Sequence, residues 1–203
     1  MTKRFLFQKI LDIGVKESFE PGNTAQSIAW FKEQANKLKQ LRPEKIIRSK
    51  ESRPNQKVNI WRPGELYLFQ YDAANKDTLP YYDRFPLVML MDEYEDGFMG
   101  LNFHYLPPML RAILMDRMYR FLNNDDFDST TRLLLSYRKL KAMAGRPLYK
   151  PCIKRYLNSQ VKSRFVKVHP AEWDLVLMLP LDRFKGKPRT IVWRDSKRIY
   201  EGQ

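Results

Sequence analysis

At 203 residues, with 43% hydrophobic and 13% aromatic side chains, the chain has enough apolar material for one core and falls outside the disordered class. Lys and Arg number 37 against 23 Asp and Glu, and the resulting +14 calls for a polyanionic neighbour: nucleic acid, an anionic membrane or an acidic protein surface. The single cysteine, Cys152, excludes a disulfide framework and a four-cysteine zinc site, and it shares no ligand spacing with His104 and His169, so neither metal nor cofactor is expected.

Asn23 and Thr24 offer a helix cap, and Ile28, Trp30, Phe31, Ala35, Leu38 and Leu41 follow at mostly three- and four-residue spacing. This predicts a helical arm that ends at Pro43, with Trp30 and Phe31 as candidate partner contacts. Arg42 to Arg62 then holds seven cations against Glu44 and Glu51 and reads as a basic, extended or partly mobile linker. The expected division is an arm and linker over 1–62 and a core domain over 63–203. No stretch has the length and apolarity of a membrane span, because the longest apolar run, Phe85 to Met91, contains a proline.

From Gly64 the pattern turns to strand. Leu66, Leu68 and Gln70 alternate with Tyr67, Phe69 and Tyr71; Phe85 to Met91 follows after a polar loop, and Phe98 to Tyr105 after the acidic turn Glu93 to Gly97. Gly97 is expected to supply the positive φ of a hairpin turn. Between the first two strands, Pro80 and Pro86 bracket Tyr81, Tyr82, Asp83 and Arg84. Tyr81, Tyr82 and Arg84 can stack on bases, dock a protein partner, or close one end of the fold.

Pro107 and Pro108 open a helix faced by Leu110, Ile113 and Leu114, and Ser129 caps a second helix that runs to Met143. A third helix is expected from about Lys150 to Phe165, then strands at Trp173 to Pro180 and Thr190 to Trp193. This order is α+β: a small antiparallel (SH3-like) barrel or meander, with a helical insertion and the N-terminal helical arm. In the barrel version, the strand at Leu175 pairs with an earlier one.

Charge is concentrated where acids are missing. No Asp or Glu occurs between Asp128 and Glu172, a stretch that contains eleven cations. Lys150, Lys154 and Lys162 recur at multiples of four and line one face of the expected third helix; Arg138 and Lys141 lie on the second. With Arg155 and Arg164 they form the candidate nucleic-acid surface. A merely solvated face normally mixes signs, since like charges four residues apart repel. Without a base-reading motif, the contact expected is to duplex phosphates, independent of sequence and sensitive to salt.

Signs of catalysis are few. Glycine-rich phosphate loops, nucleophile elbows and metalloprotease helices are absent from the sequence. The acidic groups Asp92, Glu93, Glu95, Asp96 and Asp125, Asp126, Asp128 are the only candidates for a metal-dependent nuclease, and both sit at turn signals. His104 is expected to pack among aromatic neighbours, and His169 to end a helix.

Pro63 to Asp72, Leu79 to Leu87, Gly97 to Pro107, Tyr149 to Leu157 and Glu172 to Asp174, in that order, resemble proteins of T4-type tailed bacteriophages, in the family known as DNA end protectors. The resemblance covers roughly Gly64 to Trp193 and leaves the arm outside. It implies a minor virion protein acting on packaged DNA termini, found in the virion and, during assembly, in the host cytoplasm, and it brings no site residue with it. Two function classes follow. One is a non-enzymatic protein that shields duplex ends beside other virion subunits. The other is a structural connector of tail, neck or baseplate whose basic face meets an acidic subunit.

Overall fold

The computed structural model describes residues 42–48, 62–108, 110–115 and 149–200. The expected arm helix with Trp30 and Phe31, the second helix with Arg138 and Lys141, and the acidic group Asp125 to Asp128 lie outside these residues. Described elements are α1 (Pro43–Arg48), β1 (Leu66–Leu68), β2 (Tyr82–Asp83), β3 (Leu87–Tyr94), β4 (Gly97–Asn102), α2 (residues 110–115), β5 (Ile153–Leu157), β6 (Val166–Val168), α3 (Trp173–Met178), β7 (Phe184–Lys185) and α4 (Arg189–Tyr200). The class is α+β, as expected.

The main sheet is antiparallel, with strand order β5-β4-β3-β1-β6, and a second pairing joins β2 to β7. The locally connected strands β1, β3 and β4 form the expected meander, with Leu66 opposite Met89 and Met89 opposite Leu101. Strand alternation divides β1 between two cores. Leu66 and Leu68 join Leu87, Met89, Leu101, Val176, Leu177 and Val192 under the helices. Tyr67, with Phe69 and Tyr71 just beyond the strand, joins Val88, Leu90, Phe98 and Tyr156 on the opposite face. Phe69 alone meets the rings of Phe98, Tyr156 and Phe165 at centroid distances of 5.7, 5.4 and 4.7 Å.

Four expectations change. The barrel does not close among the described residues, because β5 and β6 stand at opposite edges and Leu175 lies in α3 rather than in a strand. The apolar run Trp173–Met178 winds as a helix that buries Trp173, Val176 and Leu177, and Thr190 to Trp193 belongs to the twelve-residue α4. Short apolar runs fit either period, and burial against the sheet decides here. Pro43 begins α1, consistent with proline at a first helical position, while the arm helix expected before it lies outside the described residues. Ile46 is 4% exposed and belongs to the core, so this part of the linker is neither extended nor solvent-borne.

The fourth change concerns the third helix. Lys150–Cys152 is a 3-10 turn, Ile153–Leu157 is strand β5, Asn158–Gln160 is another 3-10 turn, and Val166–Val168 is strand β6. Two glycines on β4 admit its neighbours, Gly97 the backbone of β5 and Gly100 that of β3. A Cβ at Gly97 would collide with the backbone carbonyl of Tyr156, and one at Gly100 with Val88. Gly97 is therefore needed for close approach within the ladder, not for positive φ, which Gly64 and Gly186 adopt instead.

Candidate nucleic-acid interface

Because the segment is strand and turn, its cations do not share a helix face. Lys150 is exposed on the 3-10 turn, and Lys162 and Arg164 are exposed between the Asn158–Gln160 turn and β6. Lys162 Nζ donates to the Ser159 carbonyl at 3.0 Å, while its backbone N–H reaches Gln70 O at 2.8 Å. Lys154 and Arg155, adjacent on β5, alternate to opposite faces of the sheet. Arg155 pairs with Asp96 of the β3–β4 turn and lies over the Tyr94 ring at 4.0 Å. Lys154 extends over Tyr105, with Nζ 4.2 Å from the ring centroid.

A cleft of about 310 Å3 opens here, lined by Tyr71, Ala73, Ala74, Asn75, Leu79, Tyr81, Tyr82, Asp83, Tyr105, Lys154, Arg155, Tyr156 and Leu157. The Tyr81 ring packs on Tyr105 at 6.1 Å and edge-on to Phe184 at 6.4 Å, which ties one wall to the β2–β7 pairing. Tyr82 donates from its hydroxyl to Asp72 Oδ1 at 3.0 Å, and the Tyr71 hydroxyl accepts from the Leu157 N–H at 3.3 Å. Burial raises the phenol pKa values of Tyr71, Tyr81 and Tyr82, so these rings are neutral at physiological pH. Arg84 lies beside this wall, its guanidinium 5.6 Å from the Phe85 ring centroid.

Lys154 is half-buried, and burial holds its ammonium below the ordinary lysine value; among the described residues it forms no ion pair. Desolvating an ammonium without a counter-charge is costly, and an incoming anion would relieve the cost.

The cleft floor rests on a polar cluster that sequence reasoning missed. Asp83 Oδ2 stands 2.7 Å from His104 Nδ1 and accepts from Asn102 Nδ2 at 3.3 Å. Its Oδ1 accepts from the N–H groups of Phe85 and Arg183 at 3.1 and 3.2 Å. Burial pushes the carboxyl pKa up, but the imidazole and the two backbone N–H groups pull it further down, and the net direction is below the usual carboxylate value. Asp83 is therefore ionised, and His104 Nδ1 must be the donor. Asn102 also donates to the Tyr156 hydroxyl at 3.0 Å and accepts from the His104 N–H at 2.9 Å. His104 Nε2 is buried without a hydrogen-bond partner among the described residues. His104 is fully buried, and its contact with Asp83 joins the strand β2 to the turn that follows β4.

Arg111, 1% exposed, extends the cluster by donating to three carbonyls: Leu106 O at 2.7 Å, Leu177 O at 3.0 Å and His104 O at 3.3 Å. Trp193 Nε1 of α4 donates to the same His104 carbonyl at 2.8 Å. Asp83 lies 19 and 21 positions before Asn102 and His104, and the one local signal was an Asp between two prolines in an aromatic run. His169, expected to end a helix, is exposed between β6 and the Pro170–Glu172 turn. Glu93, Glu95 and Asp96 are exposed at the β3–β4 turn; among the described residues no three His, Cys, Asp or Glu side chains gather as a metal site, and no helix is long and apolar enough to cross a membrane.

Fold and site together define an α+β protein with a strong cationic excess and a tyrosine-walled cleft, a surface chemistry suited to polyanions. The family model for the phage T4 terminal DNA protecting protein matches residues 14–200, and the chain belongs to that family. The match includes most of the arm, which the motif resemblance leaves outside. No curated protein and no solved structure matches the chain.

Proposed function

We propose that the protein binds the ends of packaged duplex DNA without cutting them, through sequence-independent phosphate contacts, and so shields them from nucleases. The observation that carries this reading is the family assignment; the +14 charge and the acid-free stretch from Asp128 to Glu172 support it. Lys150, Arg155, Lys162 and Arg164 are the exposed cations of that stretch among the described residues, and Arg138 and Lys141 join them as candidates. Arg155, paired with Asp96, is a weaker contact, since a phosphate would have to displace the carboxylate. Within the virion, Trp30 and Phe31 of the arm are proposed to meet neighbouring subunits, with residues 63–203 as the DNA-binding domain. The family gives no support to the connector class.

The test compares linear duplexes having open ends with the same duplexes closed by hairpins, across a salt series. Open ends should bind more tightly and resist exonuclease. Reversing Lys150, Lys162 and Arg164 to Glu should flatten the salt slope by about 0.9 for each phosphate that is no longer neutralised. Equal affinity for open and closed duplexes would refute end binding. Incubation with magnesium or manganese should leave DNA intact, and cleavage that disappears in Asp92→Asn/Asp96→Asn would overturn the non-enzymatic reading.

A further inference from the structure

We infer that the tyrosine-walled cleft seats the terminal nucleotide of a DNA strand, with its phosphate on Lys154 and its base against the rings of Tyr81 and Tyr82; this rests on the end-binding reading proposed above. Phosphate contacts along a duplex are the same at every position and cannot by themselves tell an end from the contour. A site for one unstacked nucleotide can. The terminal pair is stacked on one side only, so its base is the cheapest to free, while freeing an internal base costs unstacking on both sides.

Three features fit this occupant. The cleft holds about 310 Å3, near the lower end of the roughly 300–1,000 Å3 of small-molecule sites, which suits a nucleotide and is far too small for a duplex. Its aromatic walls offer π-faces that accept any base, as sequence-independent protection requires. Lys154 supplies an ammonium without a counter-ion among the described residues, whereas the one carboxylate in the lining, Asp83, has both oxygens engaged by buried or partly buried donors. The Tyr82 hydroxyl is tied to Asp72, and Asp72 is further engaged by Lys76 at 2.9 Å, so the ring is held in place before any ligand arrives.

The experiment places 2-aminopurine at the terminal position of an open duplex, at an internal position, and in a free nucleoside 5′-monophosphate, and titrates each with the full chain and with Lys154→Gln and Lys154→Arg. The terminal probe should change intensity severalfold and the internal probe should not. Lys154→Gln should lose the terminal signal and about tenfold of the preference for open over hairpin-closed ends, the size of one stacked and anchored base. Lys154→Arg should retain most of both, and all three proteins should unfold at the same temperature. If open ends are preferred but the terminal probe is silent, or responds equally in Lys154→Gln, the cleft inference falls and end binding stands. If the free nucleotide responds and the terminal probe does not, the cleft serves a free nucleotide and the inference falls. If open and closed duplexes bind equally, end binding itself falls, and the inference with it.

Discussion

Replacing Asp83 by Ala should be among the most damaging single changes in the chain. The substitution removes the acceptor of four donors, three of them buried: the N–H groups of Phe85 and Arg183 (the latter partly buried), Asn102 Nδ2 and His104 Nδ1. Breaking a buried charged pair costs about 3–5 kcal/mol, because the remaining partner keeps its desolvation penalty. Asp83→Asn keeps an oxygen for the two backbone donors, and the imidazole can move its proton to Nε2 and accept from the new amide. Only Asn102 Nδ2 then faces a donor, and it still has the Tyr156 hydroxyl. The expected cost is about 1–3 kcal/mol, the range for one buried group left unsatisfied. In urea, with a slope of about 2 kcal/mol per molar, a loss of about 4 kcal/mol lowers the midpoint by about 2 M. Sign and pH window follow from the depressed carboxyl. Its contribution is fully present above the unfolded value of about 3.9 and is lost as pH falls through the lower folded value. The stability of the wild type should therefore fall more steeply below that point than that of Asp83→Asn. An Asp83→Ala midpoint within about 0.5 M of wild type, or an Asn variant as damaged as Ala, would refute this account of the cluster.

Arg111→Lys keeps the charge but cannot reach three carbonyls with one ammonium, and should cost about 2–4 kcal/mol in the same denaturation assay. Gly97→Ala places a methyl against the Tyr156 carbonyl and should destabilise by at least about 1–3 kcal/mol, while Ala in place of the exposed Asn158 should be nearly neutral. Burial pushes the Cys152 thiol up to about 12, so it should not react with a thiol reagent at neutral pH until urea unfolds the chain; prompt reaction in the native protein would contradict its burial.

The meander was legible because its signals are local: a Leu/Tyr alternation for β1, an apolar run for β3, and an acidic turn between β3 and β4. The segment from Lys150 to Phe165 was misread because lysines at multiples of four imitate a helical period. Its strand character depends on Gly97, which lies more than fifty positions earlier and leaves room beside β4 for the backbone of Tyr156 and Leu157. In α4, the β-branched Thr190, Ile191 and Val192 suggested strand, but the pattern that decides is longer, with Val192 and Ser196 buried one turn apart. The cleft was half visible as the proline-bracketed tyrosines. Its floor was not, since the Asp83–His104 contact spans 21 positions and no periodicity encodes it.

The placement of β1 sets an order for synthesis. This short strand lies between β3, which follows it closely, and β6, whose Lys167 pairs with Glu65 across 102 positions. A ribosome that has released only the first two thirds of the chain therefore exposes β1 with one side unladdered, an adhesive strand whose closing partner has not yet been translated. Pairings this distant in sequence also slow the search for the native state. Overexpressed fragments that stop before Val166 should for this reason collect in inclusion bodies, and the full-length protein should gain most in yield when folding keeps ahead of intermolecular pairing, as at low temperature or under weak induction.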